Sequence, residues 1–90
     1  MPDVLEPIDL RLLQAIYDKD YSRKEINWDE FESINHRASH LERLERNGFI
    51  EFKGEALTPG GQKDPKYGTA IAMIWPENIH ITDIGVEKLK

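Results

Sequence analysis

The chain has 90 residues, no cysteine, and 12 lysine or arginine residues against 17 aspartate or glutamate residues, which gives a formal charge of −5. The length fits one domain over residues 1–90, and the lack of cysteine excludes disulfides and thiolate metal sites. The acidity argues against a general nucleic-acid coat, and no apolar run approaches the ~20 residues of a membrane span.

The stretch EPIDLRLLQAIYDKD predicts the first helix. Pro7 suits the first helical position, where its missing N–H costs nothing. One helical face carries Ile8, Leu12, Ala15 and Ile16, with Leu13 and Tyr17 beside them. A second stripe on this helix is a candidate dimer surface and consists of Leu10, Leu13 and Tyr17.

The stretch YSRKEIN predicts a short second helix. Ser22 and Glu25 have the spacing of a capping box, in which each side chain bonds a backbone amide of the other residue. The helix would contribute Tyr21 and Ile26 to the core.

The stretch WDEFESINHRASHLERLERNGF is the strongest helical signal. Asp29 is placed to cap its start, and Gly48 is placed to end it in a left-handed conformation. An apolar stripe at steps of three or four is formed by Phe31, Ile34, Ala38, Leu41 and Leu44. Residues 29–47 form either one helix or two helices with a break near residues 33–35.

Two strands and a last helix follow. GFIEFKG and AIAMIWP are predicted to pair as an antiparallel hairpin, with a flexible tip over residues 54–68. Thr82 is predicted to cap the C-terminal helix. Gly85 in its first turn predicts close packing against a neighbouring element.

Two of these stretches resemble a known family. LERLERNGFIEFKG resembles the end of a winged-helix recognition helix running into its wing, and ITDIGVEKLK resembles the LTxxGxxxL ending common in such proteins. Over nearly its whole length the chain is similar to small bacterial and phage winged-helix proteins, including the short YjcQ-like group. The resemblance implies an α+β winged helix-turn-helix fold with three N-terminal helices, a two-stranded antiparallel wing hairpin and a short C-terminal helix. It also implies DNA binding, although this chain is more acidic than many DNA-binding members.

The helix before the wing is the predicted DNA reader. If its apolar stripe faces the core, the opposite face presents Asn35, His36, Arg37, Ser39, His40 and Arg43. Arginine can hold guanine, and asparagine adenine, by two hydrogen bonds in the major groove. The predicted phosphate contacts of the wing and its loop are Lys53, Lys63 and Lys66. Residues 35–68 carry six bases and five acids, whereas residues 1–34 carry four bases and nine acids.

Catalytic and metal chemistry find little support in the sequence. His36 and His40 have the spacing of a helical metal pair, but Glu32 is the nearest third ligand, so we predict no metal site. The loop TPGGQKDPKYG matches neither a P-loop nor a dinucleotide fingerprint. A domain of this size also has little room for a substrate pocket. We predict a protein that is not an enzyme, binds no cofactor and acts on no small-molecule substrate.

Two functions remain open. The first is a small transcriptional regulator of bacterial or phage origin that binds double-stranded DNA through residues 35–46 and the hairpin. The second is a protein-interaction module that keeps the winged-helix shape and has lost DNA binding, which the acidity of residues 1–34 favours.

The stretch AIAMIW is apolar on both faces. Either helices cover both faces, or one face meets a protein partner or a second copy of the chain. The first residues lack a signal-peptide pattern, and we expect a cytoplasmic location away from membranes.

Overall fold

Three helices and four short strands follow one another in residues 5–90, the part of the chain that the computed structural model describes. In chain order they are helix α1 (Pro7–Ser22), helix α2 (Ile34–Arg46), strands β1 (Ile50–Phe52), β2 (Leu57–Pro59), β3 (Ile71–Ile74) and β4 (Ile79–Ile81), and helix α3 (Asp83–Leu89). The strands form two antiparallel two-stranded sheets, which confirms the α+β class. None of the helices within residues 5–90 has the length and apolar character needed to cross a bilayer.

Helix α1 begins at Pro7 as predicted and runs further than expected, to Ser22. Its extra turn is supported by Tyr17 and Tyr21, whose ring centroids lie 4.7 Å apart at the favourable four-residue spacing. The proposed dimer surface of Leu10, Leu13 and Tyr17 is wrong for Leu13, which is completely buried in the core.

The prediction of three N-terminal helices is wrong, because no helix lies between Ser22 and Ile34. Ser22, the expected cap of a second helix, is itself the last residue of α1. Arg23 follows in the left-handed conformation, with φ of 56°, and turns the chain away. The segment then fills the core from a non-helical backbone with two anchors, Ile26 and Phe31. The prediction that Tyr21 enters the core is wrong, because Tyr21 is 64% exposed. Two anchors five residues apart do not require helical periodicity.

Helix α2 begins at Ile34, near residues 33–35, where the sequence allowed a break between two helices. No helix precedes it in residues 29–33, so neither alternative is fully correct. Ser33 caps it instead of Asp29, which lies in a turn; the Ser33 hydroxyl accepts from the backbone N–H of His36 at 3.2 Å. The end at Gly48 is confirmed, with φ of 81°. The fully buried residues of α2 are Ala38, Leu41 and Leu44.

The strand pairing differs from the prediction. Strand β1 pairs with β4, and β3, which lies within AIAMIWP, pairs with β2. Strand β2 lies inside the predicted tip over residues 54–68, so that tip is shorter than expected. Sequence patterns identify strands, but the choice of partner depends on contacts between distant residues.

The two sheets are successive segments of one long antiparallel hairpin. Between them, the Lys53 N–H donates to the Asn78 carbonyl and the Trp75 N–H donates to the Ala56 carbonyl, both at 2.8 Å. These bonds carry the pairing across a short 3₁₀ turn at Pro76–Asn78. We call residues 60–70, which join β2 to β3, the tip loop.

Helix α3 confirms both predictions made for it. The Thr82 hydroxyl accepts from the Gly85 N–H at 3.1 Å and so caps the first turn. A Cβ atom on Gly85 would overlap the backbone carbonyl of Phe49, which explains the glycine. The core that these elements enclose consists of Leu12, Leu13, Ile16, Ile26, Phe31, Leu41, Leu44, Ile50, Ala56 and Ile79.

Candidate functional site

His40 and Arg43, two of the predicted DNA readers, bind carboxylates of the domain itself. Asp9 on α1 is completely buried, and its oxygens lie 2.5 Å from Nδ1 of His40 and 3.0 Å from a terminal nitrogen of Arg43. Arg43 also contacts Glu6 at 3.2 Å. The expectation that His40 faces outward is therefore wrong: only 7% of the residue is exposed. Its position flanks the apolar stripe, and the buried carboxylate supplies the polar partner that burial requires.

Asn35 holds the tip loop against the start of α2. Its side-chain oxygen accepts from the Thr69 hydroxyl and from the Ile71 N–H, each at 2.9 Å. Thr69 is buried in this contact. The acceptor that an adenine contact would use is thus occupied by the hairpin.

His36 is covered by an aromatic residue of the tip loop. The Tyr67 ring stacks on its imidazole with centroids 4.6 Å apart and planes 12° from parallel. Nδ1 of His36 accepts from the Glu32 N–H at 3.0 Å, which fits a neutral ring. Burial, and then the nearby His40, lower the pKa of His36, so the neutral form is favoured.

Glu32 completes the contact between the tip loop and the start of α2. It accepts from the Tyr67 hydroxyl at 2.6 Å and from Nζ of Lys66 at 2.9 Å. The Tyr67 hydroxyl first, and Lys66 second, lower the pKa of Glu32. Lys66, a predicted phosphate contact, therefore has an anionic partner within the domain. We call the contacts of Glu32, Asn35 and His36 with Lys66, Tyr67, Thr69 and Ile71 the tip clamp.

The remaining predicted readers have mixed environments. The Arg37 guanidinium lies over the Trp28 ring, 5.3 Å from its centroid, and its Nε is buried without a hydrogen-bond partner among residues 5–90. Ser39 donates to the His36 carbonyl at 2.8 Å, a bond within the same helix. Lys53 lies 3.6 Å from Glu51. Lys63 is exposed and makes no ion pair within the described part of the chain.

Helix α2 therefore offers little free surface for a nucleic acid. Within Ile34–Arg46 only Glu45 and Arg46, at the far end of the helix, are exposed, and the other residues are buried or half-buried. The nine predicted site residues do not form one outward strip. They divide between a buried junction with α1, the tip clamp and separate positions on the surface.

A different surface is free, on the outer side of the hairpin. Met73 lies opposite Thr58 in the register of β2 and β3, and Trp75 follows directly after β3; the two residues are 47% and 36% exposed. The Trp75 indole N–H donates to the Thr58 hydroxyl at 2.8 Å, and that hydroxyl donates to Glu55 at 2.7 Å. We call Glu55, Thr58, Met73 and Trp75 the outer hairpin face. On the opposite side, Leu57 and Ile74 pack against the core.

Sequence reasoning overlooked several of these partners. Asp9 has the position of an ordinary first-turn acid, and nothing local signals its burial. The spacing of Glu32 pointed only to a metal ligand. The apolar character of AIAMIW on both faces did signal the outer hairpin face, because the helices cover only one of its sides.

Comparisons of this chain with models of known protein families, with curated proteins and with solved structures found no match.

Proposed function

We propose that this domain is an acidic protein-interaction module derived from the winged-helix shape, and that it does not read DNA with α2. One observation carries the proposal: four predicted reader residues of α2 are already engaged within the domain. The tip clamp holds Asn35 and His36, and Asp9 of α1 holds His40 and Arg43. The order of α2, hairpin and α3 supports a winged-helix origin. The missing helix between α1 and α2 sets this domain apart from the helix-turn-helix pattern.

Opening α2 to DNA would be costly. The tip loop would have to leave, which breaks two hydrogen bonds to Asn35 and uncovers His36. Each lost hydrogen bond typically costs about 0.5–1.5 kcal/mol, and a buried group left without a partner costs more. The free energy gained from phosphate contacts would first have to offset the free energy lost with these hydrogen bonds.

The charges within the domain oppose the same step. Glu6 and Asp9 already pair with Arg43, and Glu32 pairs with Lys66, so two of the cations assigned to DNA have carboxylate partners within the domain. Phosphates would compete with these carboxylates for the same cations. Affinity for DNA depends on cations that are free to displace counterions, and Arg43 and Lys66 are not free for this purpose.

The free apolar surface supports a protein partner. A two-stranded sheet commonly buries one face and leaves the other to water, where polar residues are expected. The outer hairpin face instead presents Met73 and Trp75. Tryptophan is enriched at the centres of protein interfaces because it buries a large area at small conformational cost.

DNA binding is the second candidate, and two residues favour it. Arg37 has a buried Nε without a hydrogen bond, and Lys63 has no ion pair among residues 5–90. In this alternative the tip loop swings off α2, and Arg37 meets a base or a phosphate.

A salt titration separates the two functions. Fluorescence anisotropy of a labelled pool of random 24-base-pair duplexes is measured against the domain at rising salt. The interaction module predicts no saturable binding at any salt concentration. Binding through several phosphates would instead give a steep linear fall of log K with log salt, as DNA-binding proteins show. A matched comparison uses the double variant Arg37→Ala with Lys63→Ala, which leaves the tip clamp and the Asp9 junction intact.

A further inference from the structure

The outer hairpin face combines an apolar surface with an acidic edge. We propose that it docks a segment of a partner protein that carries an apolar side chain next to a lysine or arginine. This inference rests on the proposed function and names the partner chemistry for it. The outer hairpin face lies on the side of the hairpin opposite the core-facing Leu57 and Ile74, so a docked segment leaves the core undisturbed.

The apolar part of the face is preorganised. The hydrogen bond from the Trp75 indole to Thr58 fixes the ring, and the backbone N–H of Trp75 bonds Ala56. Met73 lies two residues earlier, opposite Thr58 in the strand register, and offers an exposed and adaptable thioether. A fixed aromatic side chain loses little conformational freedom on binding, which favours affinity.

Carboxylates at the edge of the outer hairpin face favour a cationic side chain of the partner. The Glu55 carboxylate accepts from Thr58 next to the indole and makes no ion pair within the described residues. Glu77, two residues after Trp75, is also exposed. A lysine or arginine of the partner would meet a carboxylate and, over the indole ring, a cation–π contact. The nearest hairpin cation in the sequence, Lys53, is already bound to Glu51.

The same charges argue against the other occupants. In a twofold-symmetric pair of copies the same patch lies on both sides of the interface, so an interface centred on Trp75 would contain the Glu55 carboxylates of both copies and no lysine or arginine of the outer hairpin face. Like charges in such an interface oppose association. A nucleic acid would set its phosphates against the same carboxylates.

A random dodecapeptide display library selected on the folded domain tests this inference. The selected sequences are expected to place lysine or arginine beside an aromatic or aliphatic residue. Synthetic peptides of the consensus are then titrated by fluorescence anisotropy.

Trp75→Ser should weaken peptide binding by about thirtyfold, as loss of an interface hot spot does. Glu55→Gln should weaken it about two- to fivefold, the effect of one exposed charge pair. Met73→Ser tests the same face without touching the indole.

The control variant is Ile84→Ser, which removes an apolar side chain 59% exposed on α3. Its affinity for the peptides should equal that of the wild type. Far-UV circular dichroism establishes that each variant is folded.

Several results would overturn the inference: no enriched sequence, enriched sequences without a basic residue, or peptides that bind Trp75→Ser as well as the wild type. A dimer in sedimentation equilibrium that Trp75→Ser abolishes would assign the face to a second copy. These failures leave the proposed function standing, because the duplex titration tests that function independently.

Discussion

Nδ1 of His40 on α2 lies 2.5 Å from Oδ1 of Asp9 on α1, inside a junction where Asp9 has no exposed surface. A carboxylate oxygen can accept a hydrogen bond from the His40 tautomer that carries its proton on Nδ1. The same carboxylate accepts from the Glu6 N–H at 2.8 Å and from Arg43 at 3.0 Å. Asp9 thus caps its own helix and holds the second helix in place.

Asp9→Ala should reduce the free energy of unfolding by about 3 kcal/mol. Removing one member of a buried charged network leaves the others without a partner, and losses of this size are typical. Urea unfolding followed by circular dichroism measures the change. Glu30→Ala is the matched control, because it removes the carboxylate of the exposed pair with Arg11 and should cost far less. Equal losses for the two variants would contradict the structural role of the junction.

Tyr67→Phe should raise the pKa of Glu32 towards its ordinary value of 4.5. The lost hydroxyl is the largest cause of the lowered pKa, and Lys66 alone keeps part of the effect. NMR titration of the Glu32 side-chain carbon reports the change. The lowered pKa of Glu30 depends on Arg11 and should not move.

The same variant has a predicted dependence on pH. A carboxyl whose pKa is lowered by folding stabilises the fold above its unfolded pKa and loses this contribution as pH falls through its folded pKa. The difference in stability between the wild type and Tyr67→Phe should therefore shrink as pH falls below 4.5. A difference that is constant from neutral pH into this acidic range would show that Tyr67 does not act through Glu32.

Asn35→Ala should release the tip loop from α2. The Ile71 N–H donates to the Asn35 side chain, so its amide hydrogen should exchange about tenfold faster in the variant, in line with one lost hydrogen bond. The Lys53 amide bonds the backbone of Asn78 and serves as an internal control that should not change. Unchanged protection of Ile71 would mean that Asn35 does not hold the loop in solution.

Gly85→Ala should destabilise the domain by about 3 kcal/mol. The added methyl group would meet the Phe49 carbonyl, which is backbone and cannot turn aside as a side chain can. Gly61→Ala is the matched control, because a Cβ atom at Gly61 would have no neighbour within 4 Å and the φ of Gly61 is not in the left-handed region. Its effect on thermal unfolding should be small, and a Gly85→Ala variant as stable as this control would contradict the close packing of α3.

Local signals in the sequence predicted the helix ends well. Pro7, Gly48 and Thr82 act through their own backbone or side-chain geometry within one turn, so their roles could be recognised without the fold. The apolar period of α2 likewise identified its buried face. Ser22 had a valid capping pattern, but the preceding helix simply continued through it.

Contacts between distant residues could not be predicted in the same way. The environment of His40 depends on Asp9, 31 residues away, and the partner of β1 lies beyond two other strands. Asn35 looked like a base reader because its use by Thr69 and Ile71 depends on where the tip loop folds back. The winged-helix resemblance and the predicted DNA binding stay predictions.

The most direct test of the proposed function follows the amide resonances of the ¹⁵N-labelled domain while a pool of random duplexes is added. If the tip clamp and the Asp9 junction occupy α2, the resonances of Ile34–Arg46 should stay in place at low salt. The selected basic peptide should instead shift the resonances of β2 and β3. Shifts by duplex DNA along α2, with loss of the Ile71–Asn35 protection, would contradict the account and favour a DNA-binding domain whose hairpin opens.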